Sequence, residues 1–298
     1  MGIILKVNEL GYKPFLDTPV NSFIIGLKDF CINQNYCKSL KELPECIDKI
    51  KIKNKNVYLN LNIFAKEKNI KQLKKIVKKL MFLNIDGFVV SDLGVVNVLK
   101  ENGLGSKVML DLHTYVTNKY SAKSLLDLGI KRVCIAKEIT LEDIKEISAY
   151  CKGKIEVQCQ GYYPITHSKR SILETYYKNF KLKNNDDIHY IKEENRDSHY
   201  CLTQSKDNLT VYYDKEYSVF PYLDDLISLG QVRHFRIDAN FLNEETIKSY
   251  IRMYDDAINF IVTNKIDKYH KLREEFINKY TFETPFMNNK SFLLKEDK

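Results

Sequence analysis

The stretch GFVVSDLGVVNVL (Gly87–Leu99) decides the fold, because a short apolar strand runs into an acidic turn and then into a helix. The same order of strand, polar turn and helix occurs twice more before residue 150. We expect the three strands at Phe88–Ser91, Val108–Leu112 and Arg132–Ala136. Repeated units of this kind place polar residues at the carboxyl ends of parallel strands, where α/β folds bind their ligands.

Outside this stretch, further segments have the short, β-branched or apolar character of buried strands. The expected strands are Ile3–Val7, Ser22–Ile25, Val57–Leu61, Gly87–Val90, Val108–Leu112, Arg132–Ala136, Ile155–Cys159 and Phe235–Asp238. Helical patterns lie between most of them, as at Ile70–Leu83, Leu141–Tyr150 and Asn243–Ile261. Strands that alternate with helices in this way predict an α/β protein with a TIM-like (β/α)₈ barrel.

Two places depart from a regular barrel. The connection LGYKPFLDTP (Leu10–Pro19) is short and holds two prolines, so the first βα unit is expected to be degraded. A polar, charge-rich stretch precedes the last strand and is too long for one crossover. We therefore expect a barrel domain over residues 1–264 with an insertion at about 182–214, then a C-terminal helix and polar tail over 265–298.

Composition sets broad limits on function. The net charge is +8, with 47 basic and 39 acidic residues, which favours a polyanionic partner such as RNA, although a lysine-rich composition explains it equally well. No apolar run reaches the roughly 18 residues of a membrane span, and no secretory signal is evident, so the cytoplasm is the expected location. The seven cysteines include no C-x-x-C pair and are expected to be free thiols in a reducing compartment.

Polar residues at the strand ends are the candidates for catalysis. Asp111 and His113 are two residues apart and share one side of a strand, so the carboxylate can orient the imidazole for proton transfer. Asp92 follows an earlier strand, where it can equally serve as a helix N-cap. Glu138 follows a later strand and can equally pair with Lys137. All of these residues are predicted to lie at one rim of the barrel, where the carboxyl ends of its strands meet.

Two other segments supply candidates for binding. Alternate positions of VYLNLNIF (Val57–Phe64) carry asparagines that can bind a ligand's carbonyl or hydroxyl groups. EVQCQGYYPITHSKRSIL (Glu156–Leu173) brings aromatic rings beside cations, which suits stacking on a base and neutralising a phosphate, although an ordinary amphipathic loop remains an alternative. The candidate binding residues are Asn60, Asn62, Tyr162, Tyr163, His167, Lys169 and Arg170.

Several familiar sites are absent from the sequence. It contains no G-x-x-x-x-G-K-[ST], G-x-G-x-x-G, H-E-x-x-H or G-x-S-x-G pattern. This argues against a P-loop nucleotide hydrolase, a zincin-type protease and a serine hydrolase of the nucleophile-elbow type.

Successive blocks of the chain resemble the collagenase-like peptidase U32 family. They are VYLNLNIF (57–64), SDLGVVNVLKENG (91–103), YVTNKYSAKSLLDLGIKRVCIAKEITLEDIKEI (115–147), EVQCQGYYPITHSKRSIL (156–173) and FRIDANFLNEETIKSYIRMYDDAI (235–258). The resemblance implies a TIM-type barrel. It also implies RNA hydroxylation, notably formation of 5-hydroxyuridine at the tRNA wobble position. Several such proteins carry an iron–sulfur cluster on four cysteines, and the RNA-hydroxylating kind depends on prephenate.

The chain departs from the family pattern at the cysteines. The block H-G-A-x-C-x-x-[YF]-S-G-x-C corresponds to Gln160–Ser171, so that Pro164 and Ser171 stand at the two cysteine positions. Only Cys201 lies in the region of the later cysteine pair. An iron–sulfur cluster is therefore not expected, no residue is assigned as a metal ligand, and prephenate remains the small molecule that the resemblance implies. The K-I-E-G-R block becomes Arg236–Asn240, which adds Asp238 to the catalytic candidates.

The function that these observations favour is tRNA modification, contributing to 5-hydroxylation of the wobble uridine. Lys169 and Arg170 would hold phosphate, Tyr162 or Tyr163 would stack on a base, and the acidic residues and His113 would line the pocket. The alternatives are a U32-type peptidase and a non-catalytic partner of a cysteine-retaining paralogue. The expected partners are tRNA and a paralogous U32 subunit, and neither DNA nor a membrane.

Overall fold

The computed structural model describes residues 1–113, 115–182, 188–192, 194, 198–205, 208–228, 230, 232–284 and 286–287. Its strands are, in chain order, β1 (Gly2–Lys6), β2 (Ser22–Leu27), β3 (Cys37–Lys38), β4 (Asn56–Leu61), β5 (Gly87–Val90), β6 (Val108–Asp111), β7 (Arg132–Cys134), β8 (Ile155–Gly161), β9 (Pro164–Ser168), β10 (Ile188–Lys192), β11 (His199–Ser205), β12 (Asn208–Tyr212), β13 (Tyr217–Ser218) and β14 (His234–Asp238). Its helices are α1 (Leu43–Lys51), α2 (Glu67–Met81), α3 (Leu93–Glu101), α4 (Lys119–Leu126), α5 (Leu141–Cys151), α6 (Ile172–Asn179), α7 (Leu223–Ser228), α8 (Glu244–Val262) and α9 (Ile266–Lys279).

Eight parallel strands close into a barrel. Their order around it is β1, β2, β4, β5, β6, β7, β8 and β14. The barrel closes because β1 pairs in parallel with β2 on one side and with β14 on the other. These are the strands expected from the sequence, so the TIM-like (β/α)₈ fold is confirmed. The short strands β3 and β13 add to β2 and β8 at its edge.

The first βα unit is degraded, as expected. Between β1 and β2 the chain forms a single 3₁₀ turn at Lys13–Phe15 in place of a helix. Pro14 lies at the start of this turn, where the missing N–H of proline leaves no hydrogen bond unmade. The same missing donor prevents a longer helix from continuing through this position. The later units keep their helices.

The helix signals in the sequence correspond to real capping contacts. At the start of α5, Thr140 Oγ1 accepts from the Asp143 N–H at 3.1 Å, and Asp143 Oδ2 accepts from the Thr140 N–H at 3.0 Å. Asn243 Oδ1 accepts from the Thr246 N–H at 2.9 Å at the start of α8. Each cap satisfies backbone donors that the first helical turn leaves unpaired.

The barrel interior divides into an apolar part and a polar part. Alternate residues of a strand point to opposite faces, so one set faces the helices and the other faces the barrel axis. The inward apolar side chains form a small cluster of their own, which consists of Ile4, Ile24, Tyr58, Val89 and Met109. Inward positions nearer the carboxyl ends carry buried charged and amide side chains. These carry the candidate site.

A four-stranded antiparallel sheet lies between β8 and β14 in the sequence. Its order is β10, β11, β12 and β9. The sequence predicted an excursion over 182–214, but the sheet takes its edge strand β9 from the segment directly after the barrel strand β8. Residues 183–187, 193, 195–197 and 206–207 of the predicted insertion lie outside the described part of the chain.

The C-terminal helix α9 packs on the barrel side. The Phe276 ring stacks on Phe220 with centroids 4.0 Å apart, and the Tyr269 hydroxyl donates to the Phe220 carbonyl at 2.8 Å. Residues 285 and 288–298 of the predicted tail lie outside the described residues, so the domain division stays a prediction. Among the helices that are described, none combines the length and the apolar character needed to cross a membrane.

Candidate functional site

Polar side chains from most of the barrel strands meet in a pocket at the carboxyl ends, which we call the rim pocket. Its polar lining includes Lys6, Asn60, Asn62, Asp111, Arg236 and Asp238. The cavity has a volume of about 20 Å³, which is about the space that one water molecule needs. The carboxyl ends of parallel barrel strands are the usual place for a ligand, so the pocket lies where the sequence predicted it.

A buried ion network forms the floor of the rim pocket. Arg236 donates to Asp111 Oδ2 at 2.6 Å and lies 3.2 Å from Glu156 Oε1, while Arg132 donates to Glu156 Oε2 at 2.7 Å. Burial alone would raise the pKa of Asp111, but Arg236 and Lys137 outweigh it and hold that pKa well below its usual value. Asp111 is therefore an anion throughout the physiological range. Asp238 belongs to a second pair, with Lys6 Nζ at 2.8 Å from its Oδ2.

The network explains why charged residues occur inside apolar strands. Arg132, Glu156 and Arg236 are each almost fully buried. A buried ion is tolerated only when a counter-ion and hydrogen bonds compensate its lost hydration. The isolated strand sequences contain the charges but give no sign of their partners, because the partners come from other strands.

Gly161 brings β8 close to β14 beside Asp238. Its φ is +107°, which side chains rarely adopt. A Cβ atom on Gly161 would lie 3.1 Å from the carbonyl carbon of Asp238 and closer still to its oxygen. This close approach requires glycine.

We expect Gly161→Ala to lower the free energy of unfolding by about 1–3 kcal/mol, because β14 must move away from β8 in addition to the backbone strain. Chemical denaturation of the purified protein measures it. The matched control is Gly103→Ala, since Gly103 has φ +73° but, within the described part of the chain, an added Cβ would have no non-neighbouring atom within 4 Å. A loss no larger than that of Gly103→Ala would contradict the close-approach argument.

His113 and His167 lie against each other at the mouth of the pocket. Their ring centroids are 5.1 Å apart, and the Phe64 ring meets His167 edge-on at 5.2 Å. His113 has φ +58°, held by its backbone N–H, which donates to Asp111 Oδ1 at 3.0 Å. Burial, reinforced by Lys137, lowers the pKa of His113 to about 3 and that of His167 to about 4. Both rings are therefore neutral at physiological pH.

The His113 shift predicts a dependence of stability on pH. The unfolded histidine titrates near 6.5, so as the pH falls below that value the unfolded state binds a proton that the folded state refuses. The stabilisation is thus present above about pH 6.5 and is lost as the pH falls towards 3. Between pH 7 and pH 5, the titration of His113 should lower the unfolding free energy of the wild type by about 2 kcal/mol. We expect this part of the loss to be absent in His113→Asn.

Urea unfolding at the two pH values measures this effect, and asparagine is chosen because it tolerates a positive φ. His270→Asn is the control, since that ring is half exposed on α9 and is no part of the rim pocket. Equal pH dependence in wild type and His113→Asn would show that His113 is not buried in its neutral form.

Amide side chains complete the pocket. Asn60 Nδ2 donates to Gln34 Oε1 at 2.9 Å, and Asn62 Oδ1 accepts from the Ile32 N–H at 2.8 Å. Asn33 lies at the same mouth, where its Oδ1 accepts from the Thr210 hydroxyl of β12. The loop between β2 and β3 therefore joins the pocket to the antiparallel sheet.

The structure brings some of the predicted site residues together and leaves others apart. The pocket gathers Asn60, Asn62, Asp111, His113 and Asp238, with His167 directly above. Thr114, which follows His113, is outside the described residues.

Asp92 and Glu138 lie outside the pocket. The Asp92 carboxylate accepts from the N–H groups of Gly94 at 2.8 Å and Val95 at 3.2 Å, as an N-cap does, and from Ala65 at 3.0 Å. Its oxygens are thus occupied by backbone donors. Glu138 is exposed, whereas its neighbour Lys137 is buried.

The residues predicted to face RNA differ in their exposure to solvent. Lys169 and Arg170 are exposed at the end of β9. Tyr163 is buried and its ring stacks on Tyr213 with centroids 5.2 Å apart, so it faces protein and is not open to a base. Tyr162 is half-buried, with its ring edge-on to Phe241 at 5.7 Å. Of the two tyrosines, only Tyr162 retains access to solvent.

Lys137 is a site residue that the sequence did not predict. Its side chain is buried directly beyond β7, and its charge acts on Asp111, His113 and His167. Within the described residues it forms no ion pair or hydrogen bond, unlike Lys6 and Arg236. Its position at the end of a strand could have indicated a site residue. The adjacent Glu138 suggested instead that the two side chains pair with each other.

The residues at the family's cysteine positions do not fit an iron–sulfur cluster. Pro164 lines the rim pocket and Ser171 precedes α6, and neither side chain supplies a thiolate. Cys201 lies in the antiparallel sheet opposite Tyr190. Across the described ranges, no three His, Cys, Asp or Glu side chains are grouped to hold a metal ion.

The geometry does not favour a peptidase. His113 Nδ1 lies 3.7 Å from Asp111 Oδ1, too far for a hydrogen bond, and neither ring nitrogen has a partner among the described residues. His167 Nδ1 lies 3.1 Å from the Thr210 hydroxyl, but Thr210 is fully buried. Neither histidine thus activates an accessible nucleophile.

Comparison with known proteins gives a family match over nearly the whole chain. The model of the family described as Peptidase family U32 matches residues 12–296. The chain is 22% identical over 283 residues to the tRNA hydroxylation protein P2 of Bacillus subtilis, covering 93% of this chain and 91% of that protein.

Two other relatives are longer proteins. A 23S rRNA 5-hydroxycytidine synthase of Escherichia coli is 20% identical over 249 residues, which cover 82% of this chain and 37% of that protein. An uncharacterized protease of Methanocaldococcus jannaschii is 31% identical over 154 residues, which cover 50% of this chain and 37% of that protein. The chain thus matches only about a third of the length of these two.

Proposed function

This chain belongs to the peptidase U32 family, and we propose that it contributes to RNA hydroxylation, specifically to 5-hydroxylation of the wobble uridine of tRNA. The observation that carries the proposal is the end-to-end similarity to a protein named for tRNA hydroxylation, which covers 93% of this chain and 91% of that relative. The likeness to a relative named as an rRNA hydroxycytidine synthase supports a pyrimidine base as the substrate. The proposal places the protein in the cytoplasm, with tRNA as its partner.

Unpartnered polar atoms in the rim pocket support recognition of a pyrimidine. Asn60 Oδ1, Asn33 Nδ2 and both ring nitrogens of His113 are buried without a hydrogen-bond partner in the described chain. Each such atom costs about 1–3 kcal/mol, so a ligand that pairs with it is favoured. The edge of uracil alternates carbonyl acceptors with an N–H donor, which matches a lining that mixes acceptors and donors.

Access to the pocket requires a movement. A cavity of about 20 Å³ cannot hold a base. The His167 ring from β9 covers His113, and Thr210 of β12 ties the same sheet to Asn33. A flipped base therefore enters when β9 and β12 move away from the barrel mouth, and the extrusion of the base follows the usual logic of base-modifying enzymes.

The surface beside this sheet supports binding of the RNA strand. Tyr176 and Phe180 on and just beyond α6 are 49% and 65% exposed, with ring centroids 4.8 Å apart. Lys169, Arg170 and Lys178, on the same segment of the chain, are exposed as well. Exposed rings among cations are suited to stacking on bases and neutralising phosphates. The strand would cross this surface and deliver one base to the barrel mouth.

In the pocket and beside it we assign roles to four groups. Asp111 is an anion paired with Arg236, and Asp238 is paired with Lys6. Neutral His113 can accept a hydrogen bond from the base. Lys137, which forms no ion pair with a carboxylate in the described chain, would hold an anionic group of the substrate or of a co-substrate, such as a carboxylate of prephenate.

Hydroxylation of a base adds an oxygen atom and removes two electrons from the ring. Amino-acid side chains supply neither the oxygen nor the electron acceptor, and the cysteine positions do not fit an iron–sulfur cluster. The chain's own contribution is therefore to bind and orient the base, and a small-molecule co-substrate or a paralogous U32 subunit supplies the oxygen atom and the electron acceptor.

Nucleoside mass spectrometry of total tRNA tests the proposal. A deletion strain should lose 5-hydroxyuridine and the nucleosides made from it, and wild-type protein should restore them. Asp111→Asn should fail to restore them, whereas Asp225→Asn, on the exposed side of α7, should restore them fully. An unchanged profile in the deletion strain, with paralogous genes also removed, would reject the proposed function.

A further inference from the structure

Two cysteines face each other at the end of the barrel strand β2. A Cβ atom on Gly26 would lie 2.5 Å from the Cys31 sulfur and closer still to the Cys37 sulfur. Both sulfur atoms therefore share the space that the missing glycine side chain leaves, within hydrogen-bonding reach of each other. Both cysteines are half-buried. Cys31 and Cys37 are six positions apart and form no C-x-x-C motif, so the sequence pattern alone does not indicate this pair.

The surroundings distinguish the two thiols. A hydrogen bond from Cys31 lowers the pKa of Cys37, and the charge of Lys6 lowers it further, against the opposing effect of burial. The same hydrogen bond and burial raise the pKa of Cys31 well above its usual value. In its thiol form Cys37 donates to the Gln34 carbonyl at 3.2 Å. Cys37 is thus the thiol that ionises first, with Cys31 beside it as a donor.

The remaining five cysteines are buried. Burial raises the pKa of Cys46 and of Cys201 to about 11 and that of Cys134 to about 12. Cys159 is fully buried and Cys151 is buried on α5. A buried thiol with a raised pKa is a poor nucleophile. Reactivity is therefore concentrated at one position of the chain.

We propose that Cys31 and Cys37 form a reversible dithiol–disulfide site that exchanges with small-molecule disulfides. The Cys37 thiolate attacks one sulfur of the small disulfide, forms a mixed disulfide and releases one thiolate. Cys31 then loses its proton, attacks the Cys37 sulfur and releases the second thiolate. Two cysteine thiols are oxidised to one disulfide, and one small disulfide is reduced to two thiols that carry the two protons.

This site controls a segment that reaches the rim pocket. The residues between the two cysteines include Asn33, whose carbonyl accepts from Asn240 Nδ2 at 2.8 Å, and Gln34, whose Oε1 accepts from Asn60. A Cys31–Cys37 disulfide would close this loop covalently and fix its contacts with the barrel mouth and with β12. The chemistry of the pair does not depend on the proposed RNA modification.

The test is a redox titration of the purified full-length protein in glutathione buffers of increasing disulfide content, followed by alkylation and tryptic digestion. Because Lys28 and Lys38 flank the pair, both cysteines fall in the single peptide Asp29–Lys38. We expect this peptide to lose two hydrogen atoms reversibly, while the peptides that contain Cys46 and Cys201 stay reduced. Retention of both thiols throughout the titration would overturn the proposal.

Single variants separate the two roles. Cys31→Ser should trap glutathione on Cys37, since no second thiol resolves the mixed disulfide. Cys37→Ser should leave Cys31 unmodified under the same conditions, and Cys46→Ser should form the internal disulfide as wild type does. Near-ultraviolet circular dichroism verifies that each variant is folded. Equal glutathione uptake by Cys31→Ser and Cys37→Ser would overturn the assignment of Cys37 as the attacking thiol.

Discussion

Replacing Arg236 with methionine is expected to lower the free energy of unfolding by about 3–5 kcal/mol. Arg236 lies 2.6 Å from Asp111 and 3.2 Å from Glu156, and its own side chain is only 4% exposed. The substitution leaves two buried carboxylates without their shared cation, and the loss of a partner costs far more than the intact network contributes. Equilibrium denaturation in urea at pH 7 measures the effect.

Two further variants establish that the loss comes from unpaired charge. Arg252→Met removes an exposed arginine of α8 and should change the unfolding free energy little. The double variant Arg236→Met with Asp111→Asn should be less destabilised than the sum of the two single changes, because each removes the charge that the other leaves unpaired. Additive losses, or a loss below about 1 kcal/mol for Arg236→Met, would contradict a coupled network.

The eight barrel strands could be predicted because each is a short apolar run bounded by turn residues. The rim positions of Asn60, Asn62 and Asp111 followed as well, since alternation along a strand determines which side chains face the axis. These are local properties, and no tertiary contact is needed to infer them.

The charge network could not be predicted in the same way. Glu156 pairs with Arg132 from the neighbouring strand β7 and with Arg236 from β14 on its other side. Those neighbours are fixed only when the barrel closes, and the long segment between β8 and β14 hides their adjacency. The contact of His167 with His113 has the same origin, because β9 belongs to a separate sheet whose position over the barrel is a tertiary property.

Lys137→Met is expected to lower the level of 5-hydroxyuridine-derived nucleosides in tRNA about tenfold to a hundredfold, the effect of losing one hydrogen bond to a charged group. The variant should nevertheless be as stable as wild type or more stable, because Lys137 is buried and has no ion-pair partner among the described residues. A buried charge that is retained although it lowers the stability of the protein indicates a functional role. Complementation of the deletion strain and urea unfolding of the purified variant measure the two effects.

The control is Lys131→Met, which removes an exposed lysine just before β7, away from the rim. It should restore the nucleosides fully. A third measurement reports on the site itself: the charge of Lys137 helps to lower the pKa of His113 and of His167, so both pKa values should rise in Lys137→Met, as followed by NMR titration. Raised histidine pKa values together with full complementation would mean that Lys137 faces the pocket but holds no substrate group. Loss of both stability and nucleosides would instead assign Lys137 a structural role.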